Sequence, residues 1–383
     1  MKQRYVLLIL ALFAVSMNLR PAITSISPLL QDIRQDLGMN GTAASFLTAL
    51  PVLCMGLFAP AATSLEQRWG MKPVVAGCLL LIGAATAARL VAVHTGWLLL
   101  TAGLIGIGIA IAGPLLSGFI KMYFPNRAGA MVGIYTLGMG AGASLGAGMA
   151  VPLQQAFGFW SSSLAVWALL AGAALLIWLA IVPTGKQAAR AAGGKLPWRT
   201  PRAWLITLFF GLQSALFYAA TAWLAPYLRS LGFGAGEAGL VVTGFSLLQM
   251  FFCFLIPNLS EKTPRRRPWL LASSTAALAG FLLLLAVPMV SVWLAVVFLS
   301  TGLGGLFPLA LLLPLDETDT PAAASAWTAM ASSAGYAIGS IGPILVGTLL
   351  DLSGSFHFAL ASVLLLCVAM ILCSLPLGTR ARK

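Results

Sequence analysis

One basic residue lies where a charge is hardest to accommodate. Arg20 sits inside an apolar run from about residue 5 to 30, in Ser16-Met17-Asn18-Leu19-Arg20-Pro21-Ala22-Ile23-Thr24-Ser25-Ile26-Ser27-Pro28. An Arg at the centre of a bilayer costs about 2.5–3.5 kcal/mol on insertion scales, so it faces a protein interior and has a partner there. Ser16, Arg20, Thr24 and Ser27 are spaced by four, four and three, which sets them on one helix face. Pro21 removes a backbone donor and can loosen the helix there, freeing carbonyls beside the guanidinium. Asn18 stands next to that point.

No carboxylate is placed to meet this cation. The acids Asp32, Asp36, Glu66, Glu237, Glu261, Asp316, Glu317, Asp319 and Asp351 all fall in connections or at the ends of apolar runs. An interior cation without an interior acid suggests that the counter-charge arrives with a bound solute. The fixed fork of guanidinium donors suits a planar anion, a nitro group or a carboxylate. Two alternatives stay open: Arg20 lies shallower, or it bonds backbone carbonyls. Further along, Gln213, Phe217 and Thr221 are four apart, with Tyr218 and Trp223 alongside, and Phe307 and Tyr336 lie in later apolar runs. Each aromatic has packing as its ordinary role. Gln213 and Tyr218 carry more weight, because a buried amide or phenol needs a partner. His94 and His357 fall near the ends of runs, where they are solvated rather than placed as proton relays.

The elements that must position these residues follow from composition. The chain has 383 residues, 60% hydrophobic and only 8% charged. Soluble domains carry about 25% charged residues, so this chain cannot cover a water-facing surface. Its apolar runs have roughly the twenty residues needed to cross a bilayer as helices. They are continuous, without the alternation of a barrel strand. Spans are predicted near 5–30, 43–63, 73–93, 97–119, 128–152 and 160–182, then 203–228, 237–257, 268–288, 292–314, 322–350 and 357–377. The segment 184–202 is basic and rich in Gly and Pro, and reads as a cytoplasmic linker between residues 1–183 and 203–383.

The net charge of +13 orients the protein rather than indicating nucleic acid. Of the 22 Lys and Arg, all but Arg20, Arg34, Arg89 and Arg229 fall on the side that carries both termini. By the positive-inside rule that side is cytoplasmic, and the remaining basic residues touch lipid headgroups. The cysteines Cys54, Cys78, Cys253, Cys367 and Cys373 lie in apolar runs without metal spacing and read as small buried hydrophobes. The opening Lys2-Gln3-Arg4 and apolar run imitate a signal peptide, but the run is too long and reads as the first span.

The two halves also resemble each other. Gly103, Gly106 and Gly108 in span four have counterparts Gly302, Gly304 and Gly305 in span ten, and Gly138, Gly142 and Gly146 in span five have counterparts Gly335, Gly339 and Gly342 in span eleven. Small residues four apart make a flat stripe that lets backbones approach, and these stripes are expected to let the halves rock. Gly142-Ala143-Ser144-Leu145-Gly146 matches the hydrolase elbow G-x-S-x-G, but it lies within a span with no histidine at its depth. No metal, phosphate-loop or cofactor motif accompanies it, so neither an enzyme nor a cofactor is expected.

These features resemble the major facilitator transporters, an all-α membrane fold of twelve transmembrane helices in two six-helix repeats. Glu66-Gln67-Arg68-Trp69-Gly70-Met71-Lys72 is similar to that family's signature between helices two and three. Gln67, Met71 and Thr63 depart from it. The resemblance implies a gating role for Glu66, Arg68, Gly70 and Lys72. Asn18-Leu19-Arg20-Pro21, Thr48-Ala49-Leu50-Pro51, Ile120-Lys121 and Gly304-Gly305-Leu306-Phe307-Pro308 resemble the cyanate and 2-nitroimidazole transporter branch.

The expectation is therefore a monomeric, secondary active or facilitative transporter in a bacterial inner membrane. It would carry a small anion or planar nitrogen-containing solute by alternating access, with Arg20, Asn18, Thr24, Gln213, Tyr218, Phe217, Trp223, Phe307 and Tyr336 at the site. An exporter of drugs or hydrophobic metabolites, or a membrane sensor or scaffold without flux, are the rival readings.

Overall fold

The computed structural model describes residues 2–124, 127–183, 196–318 and 321–379. Most of the expected linker, residues 184–195, lies outside the described residues. The helices run in order as α1 Lys2–Met17, α2 Pro21–Thr24, α3 Ile26–Leu37, α4 Gly41–Phe58, α5 Ala61–Trp69, α6 Met71–Ala87, α7 Thr95–Tyr123, α8 Ala128–Phe157, α9 Trp160–Ala165 and α10 Trp167–Ile181. They continue as α11 Pro201–Ser230, α12 Ala235–Ser260, α13 Arg267–Ala286, α14 Pro288–Glu317, α15 Pro321–Gly339, α16 Ile341–Ser353 and α17 Phe356–Ser374. Together they make 12 segments long and apolar enough to cross a bilayer. An even number of crossings returns the chain to where it began. The end carrying Lys2 and Thr379 is the terminal end below, and the opposite one the far end.

Local sequence explains where the helices stop. Gly38 and Gly354 adopt φ 61° and 66° at the C-termini of α3 and α16, a left-handed turn that costs other residues a Cβ clash. Asn40 opens α4 by accepting the Ala43 amide at 2.8 Å. The first crossing is longer than expected, Tyr5–Leu37, and it is broken. Arg20 leaves helical geometry at φ −124°, ψ −37°, and Pro21 restarts the helix.

Glycines decide which helices touch. A Cβ on Gly106 would lie 2.5 Å from the Pro51 Cα, and one on Gly108 2.6 Å from Ile82, so α7 packs on α4 and α6. The second half repeats this: a Cβ on Gly304 would meet the Gln249 carbonyl at 2.8 Å and one on Gly302 the Ala277 amide at 2.5 Å, so α14 packs on α12 and α13. The stripe Gly138, Gly142, Gly146 of α8 lies against Ser16, Met17 and Pro21 of the broken first crossing, and Gly335, Gly339 and Gly342 lie against Phe210, Ser214 and Ala215 of α11. The two six-helix repeats thus use the same contacts twice.

These stripes were expected to serve rocking between halves. Their partners lie within one half, where small residues let two backbones approach closely. Between the halves, smaller steps meet: Gly140 against Met250, Gly148 against Thr243, and Gly41 against Gly347. Outward faces carry large apolar residues, with Leu169 and Leu365 at 75% and 70% exposure, as lipid contact requires. By contrast, α11 is buried round most of its length.

Gly142→Ala should therefore push α8 off the broken crossing, an overpacking cost of about 1–3 kcal/mol. The melting temperature of the purified protein in detergent should fall. Gly172→Ala in α10, where a Cβ meets nothing within 4 Å, should leave it unchanged or raise it.

Candidate functional site

The break at Arg20 opens onto a cavity at mid-depth between the halves. Arg20 and Thr24 come from the first crossing, Thr136, Met139, Gly140 and Ala143 from α8, and Gln213, Ser214, Phe217, Tyr218 and Thr221 from α11. Ser246, Gln249, Met250 and Cys253 of α12, Phe307 of α14 and Tyr336 of α15 complete the wall. The cavity offers about 60 Å³ to the centres of water-sized molecules. One water needs about 10–15 Å³ by that measure, so the space fits a few waters or one small solute.

Arg20 reaches across the interface between halves. Its Nη1 donates to the Tyr218 hydroxyl at 3.4 Å, a long bond. The guanidinium carbon stands 5.3 Å from the Phe217 ring centroid and 5.8 Å from that of Tyr218, within cation–π range. Among the described residues no carboxylate pairs with it. Thr24 turns its hydroxyl back to the Arg20 carbonyl at 3.2 Å, holding the broken turn. Behind Phe217, Phe245 stacks at 6.3 Å, and Phe210 sits between Phe307 and Tyr336 at 6.1 and 5.0 Å. The aromatic wall is thus backed by further rings.

The structure brings Arg20, Thr24, Gln213, Phe217, Tyr218, Phe307 and Tyr336 together. It does not bring Asn18 or Trp223 to the cavity wall. Asn18 turns away and donates to the carbonyls of Ala14 at 3.0 Å and Leu170 at 3.2 Å, tying the break to α10. Trp223 lies nearer the far end and donates to the Pro343 carbonyl at 3.0 Å. Both polar groups find main-chain oxygens that spacing alone did not reveal. Ser246, Gln249, Met250 and Cys253 were missed, although their spacing of three, one and three is a helix-face pattern around a lone amide in an apolar run.

A second interior cation also escaped the sequence. Arg89, which the sequence sets near the outer end of the third predicted span, is wholly buried. Its Nη1 donates to the Ala22 carbonyl at 2.7 Å and its Nε to the Thr101 hydroxyl at 3.4 Å, while Nη2 has no partner. It clamps the turn just beyond Arg20 from the third crossing. Its position near the end of an apolar run hid the inward turn of the 3-10 segment Ala88–Val91.

Glu66, Arg68, Gly70 and Lys72 lie at the terminal end, on α5 and the start of α6, and their recorded contacts stay within the first half. Lys72 donates to the Leu179 carbonyl at 2.8 Å, Arg68 lies 5.7 Å from the Trp69 ring, and the Gly70 amide bonds the Glu66 carbonyl. Glu66 forms no ion pair with Arg68 among the described residues, and partial burial pushes its carboxyl above the ordinary range. In the second half, Arg266 is buried against Asp316 and donates to Ser260 at 2.9 Å, and Arg202 pairs with Glu317 at 2.6 Å.

The far end is where the halves are joined. Asp351 of α16 accepts the Gly41 and Thr42 amides at 2.5 and 2.6 Å and the Thr42 hydroxyl at 2.7 Å, capping α4 from the other half. Arg229 pairs with Asp32 at 2.6 Å, and Ser27 donates to the Ala222 carbonyl at 3.1 Å. Among the described residues, every hydrogen bond recorded between the halves lies at mid-depth or toward this end. This is the arrangement of a two-half carrier closed at one face.

Residues 6–340 match the profile of the Major Facilitator Superfamily. The chain belongs to that superfamily. It is 35% identical to the uncharacterized transporter YycB of Bacillus subtilis, over 95% of this chain and 90% of that one. It is 33% identical to the cyanate transport protein CynX of Escherichia coli, with 91% of each covered, and 31% identical to the 2-nitroimidazole transporter of the same organism, over 97% and 95%. Among solved structures, a bacterial homolog of the human lysosomal transporter Spinster in an inward-facing, occupied conformation superposes with a TM-score of 0.80 at 17% identity, covering 97% of this chain and 96% of that one. The protein is thus a multi-pass membrane transporter of the major facilitator fold and not an enzyme.

In a major facilitator protein the far-end contacts must break for that face to open. Asp351→Ala removes an acceptor shared by three donors of the other half. Spin labels at Val93 and Phe358, exposed on opposite halves near the far end, should give a single distance population when Asp351 is intact. A second, longer population should appear in Asp351→Ala.

Proposed function

We propose that this protein carries a small anion or planar nitrogen-containing solute across a bacterial inner membrane by alternating access, with Arg20 as the solute's charge partner. The observation that carries this reading is the Arg20 guanidinium, held at a helix break on the cavity wall without a carboxylate partner among the described residues. The aromatic face of Phe217 and the hydroxyl of Tyr218 suit a planar solute lying against rings, with its anionic edge toward the guanidinium. Gln213 and Gln249 supply amides that can orient such an edge. The likeness to CynX and the 2-nitroimidazole transporter supports the same class.

The concentration of Lys and Arg at the terminal end supports a cytoplasmic placement of that end. The state described would then be closed outward, with its approach from the cytoplasm. Residues 1–183 and 203–383 would move as the two bodies, joined by the 184–202 linker, and Arg68 and Lys72 would brace the cytoplasmic gate when it closes. Each chain holds a complete cavity, which supports a monomer as the working unit.

Proteoliposomes containing the purified protein should take up radiolabelled cyanate or 2-nitroimidazole saturably. Arg20→Ala should weaken apparent affinity by about 30-fold or more, corresponding to ~2 kcal/mol or greater for loss of one buried charge partner. Flux that survives Arg20→Ala undiminished would instead favour an aromatic-lined exporter.

A further inference from the structure

Resting on that reading, we infer that the protein exchanges one anion for another much faster than it moves an anion in one direction. The reason is the charge of the cavity in each half of the cycle. With a monovalent anion bound, the guanidinium of Arg20 and its solute sum to zero. With the cavity empty, closure must enclose an uncompensated cation.

Nothing recorded around Arg20 can replace the anion. Its neighbours are a phenol at 3.4 Å and two aromatic rings at 5.3 and 5.8 Å, all neutral. An arginine keeps its proton throughout, so the charge cannot be shed. Every described acid is placed elsewhere. Asp32 is paired with Arg229, Asp316 with Arg266 and Glu317 with Arg202. Asp36 accepts from Trp160, and Asp351 caps α4. Glu66 and Glu237 lie at the helix α5 and in the first turn of α12, and Glu261 follows α12. None of them lines the cavity.

A second cation, outside the cavity wall, shows the same want of a carboxylate partner among the described residues. Arg89 is buried in the same half and bonds the Ala22 carbonyl, two residues beyond Arg20, with one nitrogen left without a partner. Closing the approach over the empty cavity strips water from the Arg20 guanidinium with nothing to replace it. Desolvating an unpaired charge is the most expensive event available to such a site. A bound anion removes that cost in both directions. The loaded carrier therefore reorients readily, and the return of the empty carrier limits net movement.

The test uses the full chain in proteoliposomes with saturating external radiolabelled cyanate, and formate in a parallel arm. The lumen holds either the same unlabelled anion or impermeant gluconate. Initial uptake should be at least tenfold faster into vesicles loaded with the transported anion. A potassium–valinomycin potential should alter the slow net uptake and leave the exchange rate unchanged, because the loaded cavity is neutral. Equal rates into both kinds of vesicle, or an exchange rate that follows the potential, would overturn the inference while leaving transport itself standing. No protein-dependent flux of either anion in any arm would overturn the inference, and no flux of 2-nitroimidazole beside it would overturn the functional reading as well.

Discussion

A guanidinium at mid-membrane must be held without a fixed counter-charge, and much of the structure serves that constraint. Arg20 interrupts the first crossing, and Pro21 makes the interruption permanent by denying the helix a donor. The broken turn exposes backbone that lipid could not satisfy. It is therefore enclosed by protein: α8 lays a glycine stripe against it, Arg89 binds its Ala22 carbonyl, and Asn18 ties it to α10. Only then can the guanidinium face a cavity instead of bonding its own backbone.

The same economy of contacts appears in the second half without the charge. There α15 and α16 pack glycines on α11, which remains a continuous helix and contributes Gln213, Phe217, Tyr218 and Thr221 to the opposite wall. The site is thus asymmetric on a symmetric frame, with a cation from one repeat and an aromatic and amide surface from the other. The side-chain hydrogen bonds and ion pairs between the repeats gather at Asp351, Arg229 and Ser27 near the far end, beside apolar packing of α8 on α12 and of α4 on α15 and α16. The polar contacts can be exchanged for water when a face opens, whereas close-packed glycine contacts leave voids when they separate.

Sequence showed the helices, their repeat and Arg20 because each rests on a local signal: apolar length, glycine spacing and a charge in an apolar run. The face carrying Gln213, Phe217 and Thr221 was legible from helical periodicity alone. Sequence did not show where a side chain finishes. Asn18 and Trp223 sit at fitting positions but meet carbonyls of Leu170 and Pro343 from distant helices. Arg89 stood only as an outer-side charge near the end of a span, because its inward turn depends on Ala22 and Thr101, which lie far from it in the chain or on the next helix. Which glycines face within a half and which face across was likewise a matter of tertiary packing.

The central claim, an Arg20 guanidinium open to an anion between the halves, is most directly tested crystallographically. Crystals of the protein grown with selenocyanate, a small linear anion carrying an anomalous scatterer, should show a selenium peak in the cavity. The anion's other end should lie within hydrogen-bond distance of Arg20, with Phe217 and Tyr218 alongside. An empty cavity with Arg20 paired to a carboxylate, or selenium bound only elsewhere, would contradict the account.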